Sequence, residues 1–154
     1  MANIYSQVYL QFVFAVKNRS SLISNSWRTE LYKCISGVTK NKCHKQLVLN
    51  GISNHLPLFV GFEISHTIPE FIKDAKVSSS IRINQNKMTY GKFAWQEGYG
   101  VFSYSHSQID KVIRYINNQE IHHRKKTFSE EYRLFLERFN IPNDEKYILK
   151  DLTE

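Results

Sequence analysis

Between residues 5 and 16, in YSQVYLQFVFAV, Val8, Leu10, Phe12, Phe14 and Val16 fall on one face of an extended chain. Tyr9, Val13 and Ala15 make the other face largely apolar too, the pattern of a central strand covered on both sides. After the polar run KNRSSLISNS the period lengthens. Trp27, Leu31, Cys34 or Ile35, and Val38 recur at helical spacing, with Asn25 or Ser26 as N-cap and an end near Lys42. A short strand is predicted over 46–50, and Asn50-Gly51 signals a turn. The next strand, 55–63, places Leu56, Leu58, Val60 and Phe62 on one face. His55 and Pro57 share the other, because alternate side chains of a strand point the same way. A proline is out of place there, since it has no N–H to give to a central ladder.

The second half repeats the alternation. Ile68, Phe71, Ile72, Ala75 and Ile83 mark a helix with Pro69 in its first turn. KFAWQEGYGVFSYS reads as an aromatic strand broken by Gly98 and Gly100. Ile109, Val112, Ile113 and Ile116 form a helical stripe over 108–122. A last helix is predicted over 129–139, opening on Ser129-Glu130-Glu131-Tyr132 as a capped turn, and a polar tail follows over 141–154. The order β-α-β-β-α-β and then two helices predicts an α+β domain spanning 1–154. Its core is a ferredoxin-like split βαβ unit, an antiparallel sheet with helices on one face, plus two C-terminal helices.

Composition narrows the function. Hydrophobic residues make up 42% of the 154, enough for a packed core and against disorder. No apolar run is long enough for a membrane span, and Val8 to Val16 lacks the flanks of a signal peptide, so a cytoplasmic protein is expected. Cys34 and Cys43 have no second pair near them, which is not a zinc pattern. The net charge of +7 favours a polyanionic partner, and nucleic acid before a membrane.

On the 108–122 helix, Gln108, Lys111, Tyr115, Gln119 and His122 flank the apolar stripe, with Tyr115 and Gln119 one turn apart. A tyrosine there is ordinarily an amphipathic edge residue, and the basic run HHRKK ordinarily a solvated helix end. Lys111, Arg114, Arg124, Lys125 and Lys126 are the candidate phosphate contacts.

Several segments together resemble the single-tyrosine HUH transposases, the small TnpA enzymes of minimal insertion sequences and the REP-associated tyrosine transposases. YSQVYLQFVFAVKNR is similar to the family's first strand. GISNHLPLFVGF stands where the family has its His-hydrophobic-His strand. The stretch from KFAWQEGYG to KKTFSEEY resembles its aromatic strand and nucleophile helix, with Tyr-x-x-x-Gln at Tyr115 and Gln119, and DEKYIL resembles its tail. The resemblance implies that a tyrosine, here Tyr115, attacks a phosphodiester of single-stranded or hairpin DNA and forms a 5′-phosphotyrosine. It implies Mg²⁺ or Mn²⁺ held by a histidine pair and a third polar ligand, here His55 and Gln119, and a homodimer. A Lewis acid on the phosphate offsets the weakness of a phenol as nucleophile near neutral pH.

The pair is incomplete. Pro57 stands where the second histidine belongs, and Asn54 where the family usually carries an acidic residue. One imidazole and one amide are too few donors for tight Mg²⁺ or Mn²⁺ binding. The expectation is a DNA-binding protein of transposase ancestry with impaired strand cleavage. Two alternatives remain: an active transposase with a rearranged metal site, and an RNA-binding module that stacks bases on Tyr99, Phe102 and Tyr104.

Overall fold

A computed structural model describes residues 4–18, 22–119, 127–143 and 149. Its elements are β1 (Tyr9–Ala15), α1 (Arg28–Asn41), β2 (Lys45–Leu49), β3 (His55–Gly61), α2 (Ile68–Gln85), β4 (Gly100–Tyr104), α3 (Ile109–Asn117) and α4 (Phe128–Arg138). The sheet has the order β2-β3-β1-β4, and every neighbouring pair is antiparallel. This is the predicted split βαβ topology.

The two apolar faces of β1 explain the layering. Leu10, Phe12, Phe14 and Val16, with Leu56, Leu58 and Val60 of β3, pack against Leu31 and Ile35 of α1 and Phe71, Ile72 and Ala75 of α2. On the opposite face Val13, Ala15 and Phe102 meet Phe128, Tyr132, Phe135 and Leu136 of α4. Phe59, also on that face, packs on Val112 and Ile116 of α3. Each large side chain so covered contributes about 1.5–3 kcal/mol. The C-terminal helices therefore close the second face of the sheet. A Cβ on Gly100 would stand 2.7 Å from the Tyr132 hydroxyl, so α4 lies directly on β4.

Several boundaries differ from the sequence reading. Strand β1 begins at Tyr9, although the Phe62 N–H still bonds the Val8 carbonyl at 2.7 Å. Neither Asn25 nor Ser26 caps α1. Trp27 occupies that position without a side-chain bond, while the Ser24 and Ser26 hydroxyls bond each other at 2.6 Å. Residues 92–99 form no strand, and only a single bridge joins Trp95 to Val16. Helix α3 stops at Asn117, so Gln119 stands just past its end. Helix α4 is capped by Thr127 and not Ser129: the Thr127 hydroxyl accepts the Glu130 N–H at 3.3 Å.

The backbone also explains Pro57. It pairs with Val13 of β1, and its carbonyl accepts the Asn50 N–H at 3.4 Å, one residue beyond the end of β2. The missing N–H would have completed that last rung. Proline is tolerated because it stands where the β2 ladder stops.

His44 carries a pH prediction. Its ring stacks on Phe62 at 4.1 Å and its Nδ1 accepts the Glu63 N–H at 2.8 Å. Burial pushes its pKa down to about 4; His66 and Lys42 act the same way, and Glu63 opposes them. The unfolded chain takes up this proton near pH 6.5, and the folded chain does so only near 4. The stabilisation is thus complete above pH 6.5 and is lost as pH falls toward about 4. Thermal melts should show the midpoint falling across that window, and His44→Phe should flatten the slope. An equal slope in the variant would assign it to other groups.

Candidate functional site

Strand β3 directs His55, Pro57 and Phe59 to the face covered by α3 and α4. His55 is only 1% exposed. Its ring stacks on Phe128 of α4, with centroids 4.1 Å apart and planes at 23°. Its Nδ1 lies 2.9 Å from the Asn54 side-chain oxygen. An amide oxygen accepts, so this contact suits a protonated Nδ1.

Tyr115, on the last turns of α3, is half-buried with its ring edge on Phe135 at 5.9 Å. Its phenol hydrogen-bonds Glu131. Burial first, and then the Glu131 carboxylate, hold the phenol well above its ordinary range, with Arg138 opposing. Just past the helix, Gln119 is 1% exposed and its Nε2 donates to Glu131 Oε1 at 3.5 Å. Tyr115 and Gln119 therefore do converge, and Glu131 of α4 is where they meet.

Glu131 is itself 5% exposed. The Oε2 of Glu131 and the Oε1 of Gln119 are both buried without a hydrogen-bond partner. The sequence places Glu131 in a predicted capping turn. It is Glu130 that fills that role, its Oε1 accepting from the Thr127 hydroxyl at 3.1 Å. The inward turn of Glu131 was nevertheless legible, because Phe128, Glu131, Tyr132, Phe135 and Leu136 form the buried stripe of α4. A carboxylate inside an apolar stripe is the signal.

Beside Tyr115 a cavity of about 200 Å³ is lined by Gln11, Tyr104, Lys111, Tyr115, Phe135 and Arg138, among others. Lys111 thus stands at the cavity, while Arg114 is exposed on α3. Arg138, which the sequence reading missed, lies over the Phe135 ring at 5.9 Å. Arg124, Lys125 and Lys126 lie outside the described residues.

Other candidate ligands are elsewhere. His44 and His66 have ring centroids 5.9 Å apart, but His44 packs on Phe62 and Phe71, within the core on the α1/α2 side of the sheet. Among the described residues no three His, Cys, Asp or Glu side chains form a metal-binding group. The donor set implied by the resemblance is one imidazole short. The two orphaned oxygens beside it, an amide and a carboxylate, are the hard donors that Mg²⁺ and Mn²⁺ prefer. Their chemistry fits such a cation.

The aromatic stacking platform is not available. Phe102 is 1% exposed beneath α4, and the Tyr104 hydroxyl donates to Gln11 Oε1 at 2.9 Å. Tyr99 packs against the α1/α2 core, with Lys76 Nζ 5.8 Å from its ring centre. An open sheet face for RNA is thereby excluded among the described residues. No described helix is long and apolar enough to cross a membrane.

Comparison with known proteins adds three findings. The family model described as "Transposase IS200 like" matches residues 4–119. A Deinococcus radiodurans R1 protein assigned as a transposase is 19% identical and superposes with a TM-score of 0.60, covering 77% of this chain and 95% of its own. A REP-associated tyrosine transposase bound to a REP hairpin is 12% identical with a TM-score of 0.63, covering 99% of this chain and 98% of its own. At these identities the likeness establishes the fold. No curated protein matches.

Proposed function

Because this chain belongs to the IS200-like transposase family, we propose that it binds hairpin or single-stranded DNA, as a homodimer, with strand cleavage through Tyr115 impaired. The carrying observation is Pro57, which shares with His55 the strand face covered by α3 and α4 and offers no ligand. DNA as partner is supported by the charge of +7 and by the hairpin bound to the second structural relative. Lys111 and Arg114 face outward on α3 and suit phosphate contacts. Arg124, Lys125 and Lys126 extend that reading by sequence alone.

The chemistry follows from the side chains. Attack on a phosphodiester needs the Tyr115 oxygen to shed its proton as the new bond forms. Burial and the Glu131 carboxylate both oppose a second negative charge, so the phenol stays neutral. His55 and Gln119 are the residues that would hold a divalent cation, which would supply Lewis-acid polarisation of the phosphate when bound. Without a second imidazole on β3 that set is weaker than a complete histidine pair.

The test is a gel assay on hairpin-bearing single-stranded DNA. A retarded complex is expected, with little nicking in Mg²⁺ or Mn²⁺ and no covalent adduct. Robust cleavage with a Tyr115–DNA adduct would show that the site is active as it stands. Failure to shift the hairpin at low salt would remove the DNA-binding reading.

A further inference from the structure

We infer that the cavity between α3 and α4 is a subsite for one unpaired nucleotide with a keto base, guanine or thymine, whose phosphate lies on Lys111 and Arg138. This deepens the DNA-binding reading and rests on it only for the strand that supplies the nucleotide.

Gln11 is a polar residue on an apolar face. It stands mid-way along β1, opposite Phe59 of β3 on one side and Phe102 of β4 on the other. Val13, Phe59 and Phe102 around it are buried, and Gln11 itself is 1% exposed. An amide in such a place is costly unless its groups are hydrogen-bonded. Its Oε1 accepts from the Tyr104 hydroxyl at 2.9 Å, but its Nε2 has no partner. A leucine or methionine would fill the position without that cost. Gln11 lines the cavity, so its unmet donor belongs to a wall that a ligand can reach and not to solid core. What it lacks is an acceptor.

The rest of the wall fits a nucleotide. Tyr104, Tyr115 and Phe135 supply ring surface, on which any base gains from stacking. Lys111 and Arg138 are exposed beside it, and no ion pair among the described residues includes either. Among the described residues no carboxylate lines the cavity, so a phosphate there meets two cations and no like charge in the wall. At about 200 Å³ the space is smaller than the pockets of drug-sized ligands, about 300–1,000 Å³, and suits a single base. The class of base follows from the donors. The Oε1 atoms of Gln11 and Gln108 are already engaged, by Tyr104 and Ser105. The wall therefore offers N–H groups, from Gln11, Lys111 and Arg138. Guanine presents O6 and N7 as acceptors and thymine presents O4, whereas adenine N6 and cytosine N4 are amino groups. An amino group set against N–H donors leaves both sides unmet.

Saturation-transfer NMR on the full chain with each of the four deoxynucleoside monophosphates tests this without any hairpin. dGMP and TMP should bind about two- to tenfold tighter than dAMP and dCMP, the worth of one hydrogen bond. Gln11→Met should erase that preference, with thermal melts showing that the fold is kept. Arg138→Gln, on the exposed surface, should weaken all four by about two- to fivefold, the worth of one exposed charge pair. Deoxyguanosine should bind wild type less tightly than dGMP. Absence of binding, equal binding of all four, or a keto preference that survives Gln11→Met would overturn the inference. So would displacement of dGMP by an equal concentration of inorganic phosphate, which would leave an anion site only. A hairpin with a guanine or thymine flank should displace dGMP, and a blunt hairpin should not. If the hairpin binds but its flank displaces nothing, DNA binding stands and the subsite falls. If keto nucleotides bind and no DNA does, the cavity stands and the proposed function falls.

Discussion

Pro57→His should tighten Mn²⁺ binding by about ten- to a hundredfold, on the scale seen when a metal site gains or loses one well-placed interaction. Nicking of hairpin DNA should rise from background to a readily scored band with a covalent Tyr115 adduct. The reason lies in β3. Side chains two apart on a strand point the same way, about 6.6 Å apart at strand rise, which places a second imidazole beside His55. That face is the one covered by α3 and α4, where Tyr115 and Gln119 stand. The backbone accepts the change, since the restored N–H would complete the rung with Asn50 whose other half is already made. That bond contributes about 1 kcal/mol. Pro57 is buried, so the larger ring costs about 1–3 kcal/mol in packing, which a domain of ordinary stability tolerates. Calorimetry and a denaturing gel check both halves. If the variant folds but Mn²⁺ affinity stays flat, the site has lost more than one residue.

The fold was legible because its determinants are local. Period-two runs in β1 and β3 and helical stripes in α1 to α4 gave the element order, and that order has few compact solutions. The covering of both sheet faces was visible in β1 alone, where Val13 and Ala15 oppose Phe12 and Phe14. Boundaries were less legible. Where α3 stops, at Asn117, depends on a C-cap whose N–H turns back to Arg114 and its neighbours, and no glycine or proline announces it. The site divides the same way. His55, Tyr115 and Gln119 stand out in the sequence by their likeness to a motif, and Pro57 by its departure from it. Glu131 escaped because its neighbour Glu130 carries the capping function that both were credited with. Which of two adjacent carboxylates faces inward is set by the phase of α4, and that phase is fixed by packing on Phe102.

Phe128→Ala should cost about 3–5 kcal/mol, the range for truncating a buried phenylalanine. Phe128 is 2% exposed at the first position of α4. Its ring lies flat on His55 and tilted on Tyr132 at 5.8 Å, so it joins β3 to the helix that carries Glu131. Against a total stability of about 5–15 kcal/mol this is a large loss, and urea titration should show a lower midpoint with an unchanged slope. The site should respond as well. Freed from the stack, His55 gains water and rotamer freedom, and α4 loses the contact that seats it beside β3. Mn²⁺ affinity should therefore fall even though no ligand has been touched. Phe128→Leu separates the two effects: it restores much of the buried apolar volume but not the flat ring face. Stability should recover more fully than Mn²⁺ affinity in that variant. If both recover together, the ring acts only as core filling and His55 is held by β3 and Asn54 alone.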